Sequence, residues 1–197
     1  VLAAPPITYP LTLPMCAPIS DGAAAAVLCN AAGMKRLRGD AGRAVRLLAS
    51  VVRSGTSRES TDYRNHLTAL AAVDAYEAAG VSPKDIDVAE VHDATAMGEI
   101  IQAENLQLAP FGEAGPAAER GDFTVGGRIP INPSGGLESK GHPIGATGLG
   151  QVYELVSQLR GECGKRQVAD ARIALQENGG GIVGVEEATA VVNIFAK

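Results

Sequence analysis

Tryptophan is absent from the 197-residue chain, and aromatic residues make up only 4% of it. Hydrophobic residues nevertheless reach 46%, so we expect a core built from Ala, Val, Ile and Leu. A chain of this length can form one full domain core with a short appended piece, but not two complete domains. Also absent are an apolar run near the ~20 residues of a membrane span and a basic segment before an apolar stretch at the N-terminus. The sequence therefore predicts neither a membrane protein nor an exported one.

Cysteine is scarce as well, since the chain has only Cys16, Cys29 and Cys163. Their odd number and spacing indicate neither a disulfide framework nor a zinc site, and we expect a reducing, cytoplasmic environment. Basic residues are outnumbered by acidic ones, 17 to 22, which gives a net charge of −5. This balance disfavours nucleic acid as the main partner.

The N-terminal part differs in character from the rest of the chain. It begins with Val1 rather than Met, which suggests a truncated or processed chain, and its four prolines within fourteen residues predict an extended linker. The small residues 21–30 are compatible with a buried strand or a helix. A group of arginines follows that can hold a small phosphorylated ligand but is more often a solvated face. Its members are Arg36, Arg38, Arg43 and Arg46.

From about residue 43, segments typical of strands alternate with segments typical of helices. Strands are predicted at residues 43–53, 85–92, 128–132, 172–176 and 189–195. Helices are predicted from an N-cap at residues 60–62 to Gly80, from Thr95 to about Leu106, and over residues 148–160. Residues 109–127 form a long loop. The order β-α-β-α-β-α-β-β predicts an α/β fold, with a mixed five-stranded sheet covered by helices on both faces.

Three polar or glycine-rich clusters follow predicted strands, where ligands lie in sheets of this kind. They are His92-Asp93, residues 132–142 and residues 176–181. His142 stands just before a helix, where free amides favour developing negative charge, and an imidazole there can deprotonate a nucleophile or donate to an oxyanion. Each cluster also has an ordinary interpretation. A lone His92 is more often structural, the last glycines can form a tight turn, and we expect a structural role for His66.

Taken together, these motifs resemble the C-terminal half of thiolases. The resemblance is carried by His92-Asp93-Ala94 before an apolar helix, by NPSGGLESKGHPIGATGLGQ from Asn132, and by the glycine-rich turn between the last two strands. The chain is most similar to the sterol-carrier-protein-type and archaeal thiolases that carry HDxF. The run DGAAA from Asp21 resembles the end of the family's N-terminal domain. The resemblance therefore implies an N-terminal domain tail and linker over residues 1–40 and a thiolase C-terminal domain over residues 41–197.

The resemblance also implies an activity, that of an acyl-CoA C-acyltransferase working by Claisen condensation or thiolysis through an acyl-cysteine. His142 matches the histidine that helps form the cysteine thiolate, and His92 matches the residue that holds the thioester oxyanion. The coenzyme A thioester is the substrate, with no tightly bound cofactor and no metal. The implied substrate-binding residues are Asn132, Ser134, Gly135, Gly136, Gly179 and Gly180.

The sequence departs from the family at the acid/base cysteine, which lies in a CxG turn or in HDCF. Glu177 lies near the first of these positions and Ala94 occupies the second. Either Glu177 transfers the proton, or it is a solvated turn residue. The absent cysteine leaves open an aldol lyase, or acyl transfer to a non-CoA carbon acceptor. Thr95 replaces the usual Phe, which predicts a wider or wetter pocket.

The resemblance implies several partners. The nucleophilic cysteine belongs to the family's N-terminal half, so we expect this chain alone to be inactive and to pack on such a half. A homodimer or higher assembly is also expected, and relatives of the HDxF kind work with a small zinc- and OB-fold-containing acyl-CoA-binding protein. A non-catalytic scaffolding subunit is the remaining alternative, which the presence of both histidines disfavours.

Overall fold

A computed structural model describes residues 1–36 and 41–197. Arg38 of the predicted basic group and the predicted domain end at residue 40 lie outside the described residues. The strands are β1 (Pro6–Thr8), β2 (Leu11–Thr12), β3 (Arg46–Ser54), β4 (Val88–Glu90), β5 (Ile173–Gly180) and β6 (Thr189–Ala196). The helices are α1 (Ala31–Arg36), α2 (Leu67–Ala79), α3 (Ala96–Asn105), α4 (Ala114–Glu119), α5 (Gly136–Lys140) and α6 (Thr147–Arg160).

The main sheet of the described chain has the strand order β3-β6-β5-β4. β6 lies between two antiparallel neighbours, β3 and β5, and β4 runs parallel to β5 with Glu90 opposite Gln176. The parallel pair places the residues that follow β4 and the C-terminal residues of β5 at one edge of the sheet. That edge is where His92 and Glu177 come together. The fold is therefore α/β with a mixed sheet, as the sequence predicted.

The two faces of the sheet are covered by different helices. α2 packs on β3 and β6, and its buried face is built mainly of alanines, including Ala71, Ala72 and Ala75. These small side chains allow the helix to approach the sheet closely. On the opposite face, α6 packs on β4 and β5, where Leu155 and Leu159 contact a second apolar cluster. Alternate residues of β4, β5 and β6 thus enter two separate cores.

The predicted strand at residues 128–132 is wrong, so the described sheet has four strands rather than five. This segment runs along the outer edge of β4 but makes a single parallel bridge, between Ala89 and Ile131. Pro130 offers a carbonyl to the Ala89 amide but has no amide of its own. Asn132 then turns the chain with a φ of 49°. Pairing therefore stops after one residue.

The helix ends agree with the sequence except at the start of α2. α2 ends as predicted at Gly80, whose φ of 69° suits glycine, and α3 and α6 lie where they were expected. The N-cap predicted at residues 60–62 is wrong. The helix starts at Leu67, because the Nδ1 atom of His66 accepts the amide of Thr68, and the carboxylate of Glu186 accepts the amide of Leu67. His66 is thus a cap, consistent with a structural role.

Several irregular segments also differ from the expectation. The proline-rich start contains the β1–β2 hairpin, residues 109–127 contain α4, and β5 continues through Gly180. Residues 21–30 form neither strand nor helix and are mostly exposed. In residues 1–36 and 41–197, no helix is both long and apolar enough to cross a bilayer.

Candidate active site

Two histidines meet at the sheet edge. His92 follows β4, and His142 lies between α5 and α6. Their Nε2 atoms are 3.2 Å apart, with the ring centroids 5.0 Å apart and the rings inclined by 60°. The fold therefore brings together two imidazoles that are 50 residues apart in sequence.

The hydrogen bonds around this pair identify which nitrogen carries each proton. The hydroxyl of Thr147 donates to the Pro143 carbonyl at 3.1 Å. Nδ1 of His142 lies 2.7 Å from the same hydroxyl, and we assign it as the donor because the hydroxyl hydrogen is used by the carbonyl. In neutral His142, this assignment puts the proton on Nδ1 and leaves Nε2 as an unprotonated acceptor. His92 consequently donates its Nε2–H to that atom.

Both histidines are held in the neutral form. Burial lowers the pKa of His92, and the neighbouring His142 lowers it further, against an opposing effect of Glu187. Burial also lowers the pKa of His142. Once a nucleophile and a carbonyl oxygen replace the bond between the two rings, the unprotonated Nε2 of His142 can accept a proton from the nucleophile, and the N–H of His92 can stabilise an oxyanion. The pair has one group for each task.

The glycine-rich loop is fastened to the end of β4 by a buried carboxyl. Glu90 is 1% exposed, and its oxygens accept from the amide of Ser134 at 3.1 Å and from its hydroxyl at 2.8 Å. Lys140 lies 3.6 Å from the same carboxyl. Burial raises the pKa of Glu90 to about 7, despite the opposing effects of Lys140 and Ser134.

Asp93 and Gly136 make a second attachment. The Oδ1 atom of Asp93 accepts the Leu137 amide at 2.8 Å, and a Cβ added at Gly136 would lie only 1.9 Å from the other carboxyl oxygen. The φ of Gly136 is also positive, at 62°. Glycine is needed here for both reasons, so the motif positions His142 through its backbone as much as through its polar side chains.

Asn132 and Ser134 are both predicted to bind substrate. Their side chains instead form hydrogen bonds with other residues of this chain. The side chain of Asn132 accepts the Val91 amide at 2.8 Å and donates to Glu99 at 2.9 Å. Ser134 is bound to Glu90, while Gly135 is an exposed residue with a φ of 98°. Gly179 and Gly180 lie at the end of β5. A substrate-binding role for these residues stays a prediction.

Glu177 lies on β5 directly beneath His92. It is fully buried, so it is not a solvated turn residue. Its Oε2 atom accepts the backbone amide of His92 at 3.0 Å, whereas its Oε1 atom has no partner among the described residues. Burial raises the pKa of Glu177 to about 8, which the hydrogen bond from His92 opposes and the charge of Glu187 reinforces. The raised pKa favours the protonated form of Glu177 at neutral pH, the form that can donate a proton.

Sequence reasoning missed three residues of this site. Thr147 fixes the tautomer of His142, and Glu90 holds the loop. Both had a local signal in the sequence, because Thr147 lies five residues after His142 and Glu90 is a carboxylate within a predicted half-buried strand. Glu187 is the third. It accepts from Gln102 at 2.9 Å across 85 residues, a contact that no local pattern indicates.

The family is decided by comparison with known proteins. The model of the thiolase C-terminal domain-like family matches residues 49–194. The chain belongs to the thiolase family. An acetyl-CoA acetyltransferase from Methanothermobacter thermautotrophicus is 45% identical over 196 residues, which are 97% of this chain and 49% of the relative. The chain thus spans about half of that relative and corresponds to the C-terminal half of a thiolase.

Other thiolase-related proteins agree. Sterol carrier protein 2 from Oryctolagus cuniculus is 46% identical over 90% of this chain and 34% of its own length. The benzoylsuccinyl-CoA thiolase subunit BbsB from Thauera aromatica is 37% identical over 89% of this chain and 46% of its own. A solved structure, the Ltp2-ChsH2(DUF35) aldolase, has a TM-score of 0.60 at 23% identity, over 76% of this chain and 39% of its own. This last likeness shows the thiolase fold.

The cysteines of this thiolase half lie in three different environments. Cys29 is exposed in an irregular segment, and the backbone of Cys16 pairs with Thr95 beside the site. Cys163 is buried, and its pKa is raised to about 11, first by burial and then by Glu154. A thiol with so high a pKa is a poor nucleophile. The described residues contain no group of three or more His, Cys, Asp or Glu side chains that could hold a metal ion.

Proposed function

We propose that this chain is the C-terminal half of an acyl-CoA C-acyltransferase, acting by Claisen condensation or thiolysis of a 3-oxoacyl-CoA. The observation that carries the proposal is the His92–His142 pair, in which the contact to Thr147 is consistent with an unprotonated Nε2 on His142 that can accept a proton. The likeness to an acetyl-CoA acetyltransferase over 97% of the chain supports it.

The nucleophile is proposed to be a cysteine of the N-terminal half, which packs against this chain. Nε2 of His142 takes the thiol proton, and the thiolate attacks the thioester carbonyl. The Nε2–H of His92 donates to the carbonyl oxygen as it becomes negative, and coenzyme A leaves as its thiolate. Residues 16–20 already lie beside both histidines, since the Pro18 carbonyl accepts the His142 amide and the Ala17 amide donates to Ala94.

Glu177 is proposed to take the place of the family's acid/base cysteine. Its carboxyl lies against the backbone of His92, and its raised pKa of about 8 keeps it protonated at neutral pH. It can therefore protonate a leaving carbon in the cleavage direction and accept a proton in the reverse direction. No cysteine occupies either family position, since Ala94 stands at the HDCF position and Glu177 lies near the CxG position.

The proposal is tested in the full-length protein by incubation with acetyl-CoA and mass spectrometry for an acetylated cysteine. We expect an acyl-enzyme with the native protein, and His142→Ala to slow its formation by on the order of 10²–10⁴-fold. Thr147→Val should cause a smaller loss, and the matched variant Thr147→Ser should retain the rate. Absence of an acyl-enzyme, or unchanged formation in His142→Ala, would contradict the proposal.

A second candidate is an aldol lyase acting on a β-hydroxyacyl-CoA. It is favoured by the buried Glu177 in place of the cysteine that activates the incoming thiol. A lyase needs no free coenzyme A for cleavage, whereas a thiolase does. Release of a ketone or aldehyde from a β-hydroxyacyl-CoA without added coenzyme A would identify the lyase. The homodimer and the zinc- and OB-fold-containing partner stay predictions.

A further inference from the structure

Among the described residues, Glu138 in α5 has one buried carboxyl oxygen without a hydrogen-bond partner, and two further such oxygens lie near the end of β5. They are Oε1 of Glu177 and Oε2 of Glu187. An unpaired buried polar atom costs roughly 1–3 kcal/mol, so two in one region need a physical reason.

The two carboxyls lie over the same face of β5. Glu177 and Gly179 are two residues apart on this strand, so their side-chain positions point to the same face and are about 7 Å apart. The side chain of Glu187 fills the space above Gly179, because a Cβ added there would lie 2.7 Å from Cγ and 3.2 Å from Cδ of Glu187. The carboxyl of Glu187 therefore lies over the strand position two residues after Glu177, and its charge acts on Glu177, whose pKa it raises.

The two acids differ in their access to solvent. The side chain of Glu187 is 23% exposed, whereas Glu177 is completely enclosed. Gln102 donates to Oε1 of Glu187 at 2.9 Å, and Nε2 of His66 lies 3.5 Å from its Oε2. Nδ1 of His66 accepts the Thr68 amide, so its proton is on Nε2, directed at Glu187. These contacts fix the carboxyl of Glu187, the more solvent-accessible of the two acids.

We propose that Glu177 and Glu187 share a single proton, and that Glu187 exchanges this proton with solvent on behalf of the enclosed Glu177. In the transfer, the O–H bond at Oε1 of Glu177 breaks, an O–H bond forms at Oε2 of Glu187, and the negative charge moves to Glu177. The shared proton gives each unpaired oxygen a partner. Glu187 is thus a positioning and proton-exchange residue rather than a group that contacts substrate, and its catalytic importance rests on the proposed role of Glu177.

Other charged or titratable groups surround the pair. His92 and Asp93 face it from the end of β4, and His66 faces it from the start of α2. Arg58 and Glu186 affect His66 from the adjoining loops, where they form a buried ion pair of 2.6 Å with each other. Burial is the largest cause of the raised pKa of Glu177, and Glu187 is the charged neighbour that raises it most, whereas the hydrogen bond from His92 lowers it. Glu187 is therefore the neighbour to remove.

The first test is a pH titration of the carboxyl groups of the full-length protein by ¹³C NMR. In the native protein, Glu177 and Glu187 should titrate in two steps that belong to the pair. In Glu187→Gln, Glu177 should titrate in one step at lower pH, because a neighbouring negative charge is gone. If Glu187→Gln does not fold, Glu177→Gln serves equally, since Glu187 should then titrate in one step. An unchanged titration of the remaining carboxyl would overturn the proposal.

The second test is turnover. Glu187→Gln should lower kcat by about tenfold or more with an unchanged KM, and should increase the solvent deuterium isotope effect on kcat. Glu187→Asp should restore part of the rate, and Glu77→Gln, which alters an exposed carboxyl on α2, should change nothing. A native kcat and isotope effect in Glu187→Gln would refute the exchange role. If the native protein does not turn over acyl-CoA, the proposed function fails, whereas the titration still decides whether the proton is shared.

Discussion

Glu90 and Glu177 are buried carboxyls on opposite faces of the same sheet edge, and their surroundings differ. Glu90 ends β4 on the face covered by α6, and both of its oxygens accept hydrogen bonds from Ser134. Glu177 is on the face covered by α2 and α3, and only one of its oxygens has a partner. Burial raises both pKa values, to about 7 for Glu90 and about 8 for Glu177.

The difference separates a structural carboxyl from a reactive one. The hydrogen bonds of Glu90 are used to fix the glycine-rich loop, which carries His142 to its position. Glu177 has a free oxygen beneath His92 and a neighbouring acid, Glu187, to share a proton with. An unsatisfied buried group destabilises the fold, and such groups cluster where a protein needs a shifted pKa for chemistry.

The largest expected effect is a loss of stability on substitution of Gly136, in the glycine-rich loop that Glu90 and Asp93 hold. In Gly136→Ala, the new Cβ meets Asp93 at 1.9 Å in a backbone conformation with a φ of 62°. Asp93 must move and lose its bond to the Leu137 amide. Together with the backbone strain, we expect a loss of unfolding free energy on the order of 4 kcal/mol, measured by urea denaturation.

Gly180 provides the matched control for this variant. It lies at the end of β5, and a Cβ added there would meet nothing within 4 Å. Gly180→Ala should therefore leave the urea midpoint nearly unchanged. If the two alanine variants unfold at the same urea concentration, the loop adapts around Asp93. The glycine-rich loop would then not hold His142 rigidly.

The sequence predicted much of this edge but not its electrostatics. His92 and His142 were identified from a motif and from their places after a strand and before a helix, and the parallel pairing of β4 and β5 accounts for their meeting. The prediction of a strand at residues 128–132 was wrong because Pro130 and Asn132 end the pairing with β4 after one bridge. Such local backbone geometry is not visible in an apolar pattern.

The acidic pair illustrates the other limit of sequence reasoning. Glu177 was recognised only because it lies near a family cysteine, and its burial could not be inferred from a glycine-rich stretch that also suits an exposed turn. Glu187 gave no signal at all, since its contacts to Gln102 and His66 depend on how α2 and α3 pack on the sheet. Long-range polar contacts of this kind follow from tertiary packing rather than from spacing.

The second prediction concerns stability against pH. An acid whose folded pKa is raised binds its proton more tightly when folded, so stability falls as pH rises from the unfolded pKa to the folded one. For Glu177 this interval runs from 4.5 to about 8, and for Glu90 from 4.5 to about 7. Glu177→Gln should therefore weaken the fall of unfolding free energy between pH 4.5 and about pH 8. Glu90→Gln should weaken it only up to about pH 7.

The measurement is the free energy of unfolding by urea as a function of pH for the native protein and both variants. Because Glu177 and Glu187 share a proton in our proposal, the decline attributed to Glu177 should also be broader than a single titration. Identical pH profiles for the two glutamine variants would mean that the two faces of the sheet edge do not differ as their contacts indicate.

The smallest expected effect is that of Ser134→Ala, which tests whether the loop serves structure or substrate. The hydroxyl of Ser134 donates to Glu90 at 2.8 Å and accepts from Lys140 at 2.6 Å, so little of its hydrogen-bonding capacity remains for a ligand. We expect a loss of about 1 kcal/mol in unfolding free energy and an almost unchanged KM for acyl-CoA. A large rise in KM with unchanged stability would instead place Ser134 on the substrate. Because Glu90 holds Ser134, Glu90 would then contribute to substrate binding and would no longer be a purely structural carboxyl.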